Sequence, residues 1–99
     1  MKKLIVTGCN GQLGRAINRV YEGSREYELV NTDVEELDIT KVDEVLRFVR
    51  EIKPYAVINC AAHTAVDLCE KDGDNAYRIN AVGPRNLSIA AQETGAKLI

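Results

Sequence analysis

The apolar run Leu4-Ile5-Val6 breaks within two residues into glycines at three-residue spacing, Gly8, Gly11 and Gly14, and no other feature of the 99 residues constrains the fold as tightly. The run has the length of a buried strand, and Leu13, Ala16, Ile17, Val20 and Tyr21 then fall at helical spacing. Strand therefore passes into helix across the glycines.

The same alternation continues. Tyr27 to Val30 reads as a second strand, stopping at the polar Asn31-Thr32-Asp33. Thr40 is expected to cap a second helix, with Asp43 and Glu44 near the positive end of its dipole and Val42, Val45, Leu46, Val49 and Ile52 as its apolar stripe. Pro54 ends that helix, because the residue before a proline is pushed toward extended geometry. "YAVINCAA" follows as a third strand, apolar throughout as a parallel strand covered on both faces must be. A third helix is expected from about Asn75 to Thr94, with Ile79, Val82, Leu87, Ala90 and Ala91 inward, a kink or lost hydrogen bond at Pro84, and Gly95 as its stop. "AKLI" opens a fourth apolar run. Right-handed crossovers turn this order into an α/β, Rossmann-like, doubly wound parallel sheet. The expected strand order is 3-2-1-4, truncated in the fourth strand, which leaves part of the Leu4 to Val6 edge unpaired and the isolated chain marginally stable or self-associating.

Composition narrows the function classes. A net charge of -2 recruits neither nucleic acid nor an anionic membrane surface. "MKKLIVTG" carries too short an apolar run for a signal peptide or a membrane span, so a cytosolic, that is cytoplasmic, chain is expected. Cys9, Cys60 and Cys69 lack metal-site spacing and read as reduced thiols. No metal constellation is visible.

In a strand-to-helix turn the glycines have a joint chemical sense. Gly8 permits the tight turn, Gly11 leaves room for a pyrophosphate against the backbone, and Gly14 lets helix and strand pack closely. The helix N-terminus then offers N–H groups and a partial positive charge. The alternative is a glycine-rich turn with no ligand. Nineteen residues past Gly14, Asp33 ends the second strand, where a carboxylate accepts from both ribose hydroxyls of an adenosine and repels a 2′-phosphate. That mildly favours NADH over NADPH, although Arg15 or Lys41 could reach a phosphate; the alternative for a lone Asp33 is a solvated turn residue. In "LDIT", Asp38 could accept from an adenine amino group while Ile39 packs on the ring, or Asp38 could simply lead the turn into Thr40. Ala61 and Ala62 leave space at the carboxyl end of the third strand, and His63 by itself reads as a surface histidine.

Taken together, "TGCNGQLG", "LDIT", "NCAAHTAVD" and "INAVGPRNLSIAA" resemble the start of an extended short-chain dehydrogenase/reductase, and more closely the dTDP-4-dehydrorhamnose reductases, over the whole of residues 1–99. The resemblance implies reduction of the 4-keto group of dTDP-4-dehydro-L-rhamnose by NADH or NADPH. It implies cofactor contacts at Gly11, Gln12 and Leu13 for the pyrophosphate, Asp33 for the ribose, Asp38 and Ile39 for the adenine, and Ala62, His63 and Thr64 further along the dinucleotide. Val66 matches a position near the sugar nucleotide, and Asn80 a helix asparagine that supports the active site or bonds helix to strand. Some family members use Mg²⁺ at a subunit interface, and a homodimer is among the arrangements the resemblance allows.

The family's catalytic Tyr-x-x-x-Lys is not found in these residues. Tyr21, Tyr27, Tyr55 and Tyr77 are followed four positions later by Arg25, Asn31, Asn59 and Ala81. No catalytic residue is therefore expected within 1–99, which form the N-terminal portion of a NAD(P)-binding Rossmann domain without the sugar-nucleotide region: binding of a cofactor is expected, and turnover is not. Two other readings share the residues: a non-catalytic regulatory subunit like the β subunit of methionine adenosyltransferase, and another nucleotide-sugar epimerase or dehydratase.

Overall fold

The computed structural model describes residues 1–61 and 78–99. Strand β1 (Lys2–Thr7) is buried from Leu4 to Thr7, and a strand with no solvent-facing side needs a partner on each edge. It has them. Strand β2 (Tyr27–Asn31) pairs with it in parallel on one side and β3 (Ala56–Asn59) on the other, while β4 (Lys97–Leu98) pairs with β3. The sheet order is β2-β1-β3-β4.

The parallel, doubly wound architecture is as the sequence predicts, but the 3-2-1-4 order is corrected. The third strand along the chain docks on β1, not beyond β2, and the fourth lies on β3, so the Leu4 to Val6 edge is fully paired. The cause is burial. Ala56, Val57 and Ile58 are at most 8% exposed and can occupy only a central position, whereas β2 exposes Glu28 and Asn31 and suits an edge.

The two faces of the sheet carry separate cores. On one, Ile5 and Val57 pack with Leu37, Ile39, Val45, Val49, Leu87 and Ala90. On the other, Leu4, Ala56 and Ile58 pack with Ile17, Tyr21, Tyr27 and Leu29. Helix α1 (Gln12–Val20) thus covers one face, and α2 (Val42–Ile52) and α3 (Gly83–Thr94) cover the other. A ligand crevice in such a sheet opens where successive crossovers diverge, here between the carboxyl ends of β1 and β3.

Three local expectations are revised. The contact of α1 with the sheet is made by Gly14, Ile17 and, at its C-terminal cap, Tyr21, because close contact at Gly14 fixes which stripe meets the sheet; Leu13 and Val20 are 58% and 74% exposed. Thr40 does not cap α2: Lys41 holds the cap position without a side-chain bond, and the Thr40 hydroxyl donates to Asp38 instead. At Pro84, where a kink or a lost hydrogen bond was expected, the helix changes form: a π-helical turn, Arg78–Val82, runs without a break into α3, whose second residue is Pro84. Residues 75–77, where the longer helix was expected to begin, lie outside the described residues. Gly95 stops α3 in a left-handed conformation (φ 77°), as expected. No helix among the described residues is long and apolar enough to cross a membrane.

Candidate functional site

The glycines divide into two structural positions and one open position. Gly8 has φ 62°, and a Cβ there would lie 2.7 Å from the Ala61 nitrogen, so this glycine lets the turn after β1 press against the end of β3. A Cβ on Gly14 would come within 2.6 Å of the Cys9 Cα, which accounts for the close seat of α1. Gly11 differs: its Cβ would meet only the Gly8 carbonyl, at 3.4 Å, an ordinary contact. It is also the cap residue of α1, in an extended conformation, and no side chain accepts from the first turn. The N–H groups of Gln12 and Leu13 therefore face an open surface beside a residue without a side chain. That is the arrangement that receives an anion.

A cleft of about 430 Å³ runs from this turn across the carboxyl edge of the sheet, bounded by Gly8, Gly11, Asp33, Asp38, Ile39 and Ala61. Asp33 stands at its edge, its two carboxylate oxygens accepting from the Asn10 N–H at 3.3 Å and the Val34 N–H at 2.8 Å. Each oxygen keeps a lone pair for a hydroxyl. Asp38 is committed differently. One of its oxygens accepts from both the N–H (3.0 Å) and the hydroxyl (2.7 Å) of Thr40, and these bonds, the hydroxyl first, hold its carboxyl below the usual aspartate range against the opposing effect of burial. Ile39 is 5% exposed, forming wall rather than rim. Leu13 turns its side chain to solvent, so its part in the site rests on its backbone N–H. Ala62, His63, Thr64 and Val66 lie outside the described residues, as does Cys69; Asn80 falls in the π-helical turn.

Other residues of the cleft escaped the sequence reading. Thr7, 1% exposed, donates to the Asn59 side-chain oxygen at 2.6 Å and accepts from the N–H groups of Cys60 (3.1 Å) and Ala61 (3.4 Å). This knot ties the ends of β1 and β3 together and sets Ala61 against Gly8. The available signal was a polar residue closing each of two apolar strands. Val34 and Ile79 also line the cleft, and Asn86, buried in α3, donates to the Ile39 carbonyl.

The cysteines do no visible chemistry here. Burial, reinforced by the Asp33 and Glu36 carboxylates, pushes the Cys9 thiol up, and burial alone does the same to Cys60; both are free thiols. The structure does form a Tyr–Lys pair, Lys97 donating to the Tyr55 hydroxyl at 2.9 Å, and this lowers the Tyr55 pKa. It stands at the amino ends of β3 and β4, across the sheet from the cleft, so it has no access to a ligand bound there. Among the described residues no group of three His, Cys, Asp or Glu side chains could hold a metal ion, so no magnesium site is derived from them.

Known proteins agree with this geometry. A dTDP-4-dehydrorhamnose reductase of Aggregatibacter actinomycetemcomitans is 40% identical over 91 residues, covering 92% of this chain and 31% of its own length. The crystal structure of a dTDP-4-dehydrorhamnose reductase from Clostridium acetobutylicum superposes with a TM-score of 0.93 at 54% identity, covering 97% of this chain and 34% of that one. The Bacillus anthracis enzyme of the same name, solved in complex with NADP, gives 0.91 at 46% identity over 99% of this chain and 35% of its own. The chain thus spans about a third of the length of the relatives it matches. The family model for the RmlD substrate binding domain matches residues 1–99, and the chain belongs to that family.

Proposed function

We propose that residues 1–99 are the dinucleotide-binding portion of a dTDP-4-dehydrorhamnose reductase, which reduces the 4-keto group of dTDP-4-dehydro-L-rhamnose to give dTDP-L-rhamnose. The observation that carries this is Gly11: the one glycine of the turn that no neighbouring atom requires, placed at an uncapped helix N-terminus facing the cleft. The names of the relatives and the NADP held by the Bacillus anthracis structure support the same reading.

The residues divide the work by chemistry. Gln12 and Leu13 present backbone N–H groups to the pyrophosphate, with the dipole of α1 behind them. Asp33 accepts from the adenosine ribose hydroxyls, and Asp38 and Ile39 flank the adenine. Ala62, His63 and Thr64 continue the contact toward the nicotinamide, and Val66 approaches the sugar nucleotide. Because the Asp33 carboxylate would repel a 2′-phosphate, NADH is favoured over NADPH, although both enter the cleft. The reduced nicotinamide supplies the hydride. A proton for the carbonyl oxygen must come from outside residues 1–99, since none of their tyrosines has a lysine four positions on. The protein works in the cytoplasm on a dTDP-sugar.

The test uses the whole natural protein that carries these residues. Loss of the reduced-nicotinamide absorbance should depend on adding dTDP-4-dehydro-L-rhamnose. Binding of NADH without any sugar-dependent oxidation of NADH or NADPH would refute the reductase and leave a regulatory cofactor-binding subunit.

A further inference from the structure

We infer that Asn86 of α3, with Gly83 one turn before it, is a positioning residue for the adenosine end of the cleft. It acts through Ile39 and never touches the ligand. The inference rests on the dinucleotide reading above and adds a part of the molecule that lies on a different element from every contact assigned there.

Two independent observations converge on the same three-residue turn. Asn86 is 5% exposed, and its side-chain N–H donates to the Ile39 carbonyl at 2.9 Å, joining residues 47 positions apart. Gly83 is buried beneath the Ile39 side chain, so close that a Cβ would lie 2.5 Å from its Cδ1 and 2.8 Å from its Cγ1. One contact holds the backbone of Ile39 from below and the other sets the depth of its side chain.

Asp38 and Thr40 on either side have no comparable anchor to α3. They bond to one another, through the Asp38 carboxylate and the Thr40 N–H and hydroxyl, and the Asp38 N–H donates a longer bond to the Glu44 carboxylate of α2 at 3.4 Å. That local knot fixes the shape of the turn but not its height above the sheet. Height is what a flat ring resting on Ile39 would sense, because contact energy falls steeply over fractions of an ångström. The hydrogen bond from Asn86 and the missing side chain at Gly83 supply it.

Removing the amide leaves the Ile39 carbonyl short of its donor in a buried setting. In Asn86→Ala we expect the dissociation constant for ADP-ribose, which carries the adenosine and both phosphates, to rise about fivefold, the fold-change that goes with one hydrogen bond of ordinary strength. Gly83→Ala, which pushes the same side chain by a different route, should weaken ADP-ribose in the same direction. The control is Ala91→Gly, which loosens the same helix through its backbone two turns further on. All variants are made in the whole natural protein, with melting temperature recorded beside affinity.

A positioning role predicts weaker binding in Asn86→Ala and Gly83→Ala, with affinity kept in Ala91→Gly even though its melting temperature falls. Equal loss of affinity in Ala91→Gly would overturn the inference, because affinity would then be following stability alone. So would unchanged affinity in Asn86→Ala, or in Gly83→Ala should Asn86→Ala fail to fold. If the unsubstituted protein takes up no ADP-ribose, the dinucleotide reading falls and this inference falls with it.

Discussion

Substituting Gly11 by valine should separate binding from folding, and the structure sets both magnitudes. The backbone of Gly11 is extended, a conformation valine prefers, and its Cβ would meet only one atom, at 3.4 Å. The cost to stability is the loss of a favourable cap residue, about 1 kcal/mol or less, a fall in Tm of at most about 8 °C. The cost to binding is of another order. Two methyl groups would fill the space in which a pyrophosphate meets the N–H groups of Gln12 and Leu13, and hydrogen bonds to a charged group contribute about 1.5–3 kcal/mol each. Losing two of them weakens NADH by at least about 100-fold. Gly14→Ala should behave in the opposite way, since its Cβ collides with the Cys9 backbone: a loss of about 2 kcal/mol or more in stability, read by denaturant unfolding. Calorimetric titration of NADH into the Gly11→Val protein, beside its melting curve, is the assay. Affinity within threefold of the unsubstituted protein (about 0.6 kcal/mol) would refute the phosphate seat. A melt as damaged as that of Gly14→Ala would refute the division of roles among the glycines.

Other consequences are as direct. Asp33→Ala should weaken NADH more than NADPH, because it removes both the acceptor for the ribose hydroxyls and the repulsion of a 2′-phosphate; paired titrations showing the reverse order would mean that the ribose lies elsewhere. Thr7→Val should cost about 1–3 kcal/mol in urea unfolding, since it strips a buried hydroxyl that serves Asn59, Cys60 and Ala61, and a cost below 0.5 kcal/mol would show the knot to be incidental. The Asp38 pKa is lowered in the folded chain by its Thr40 bonds, so its contribution to stability is present above the unfolded value and drains away as the pH falls below about 4. Asp38→Asn should therefore flatten the acid side of the stability curve, and an unchanged acid slope would contradict the assignment.

What could be read from the sequence was set by distance along the chain. The turn after β1, the Val45, Leu46, Val49 and Ile52 part of the α2 stripe and the Gly95 stop are local patterns, and each appears where its residues place it, whereas Val42, expected in the same stripe, is 38% exposed. Strand order is not local. It depends on which strand tolerates burial on both faces, and the contrast between Glu28 in β2 and the wholly apolar Ala56-Val57-Ile58 held that information without its being used. Thr40 had two competing partners within a few residues, the N-terminus of α2 and the Asp38 carboxylate, and residue type alone could not choose between them. That Gly11 and Asp33 line the cleft was legible because each lies in the turn that follows a strand, Gly11 after β1 and Asp33 after β2. Thr7 with Asn59, and Asn86 with Ile39, were not, since each pair meets only after the sheet and α3 have assembled.

On the proposed function the cleft beside Gly11 and Asp33 takes a dinucleotide, and calorimetric titration of NADH into the whole natural protein is the decisive check. Saturable binding is expected at one site per chain, with a dissociation constant between about 1 μM and 1 mM, and with displacement of the NADH by ADP-ribose. No heat of binding at millimolar NADH, or NADH that ADP-ribose fails to displace, would contradict it.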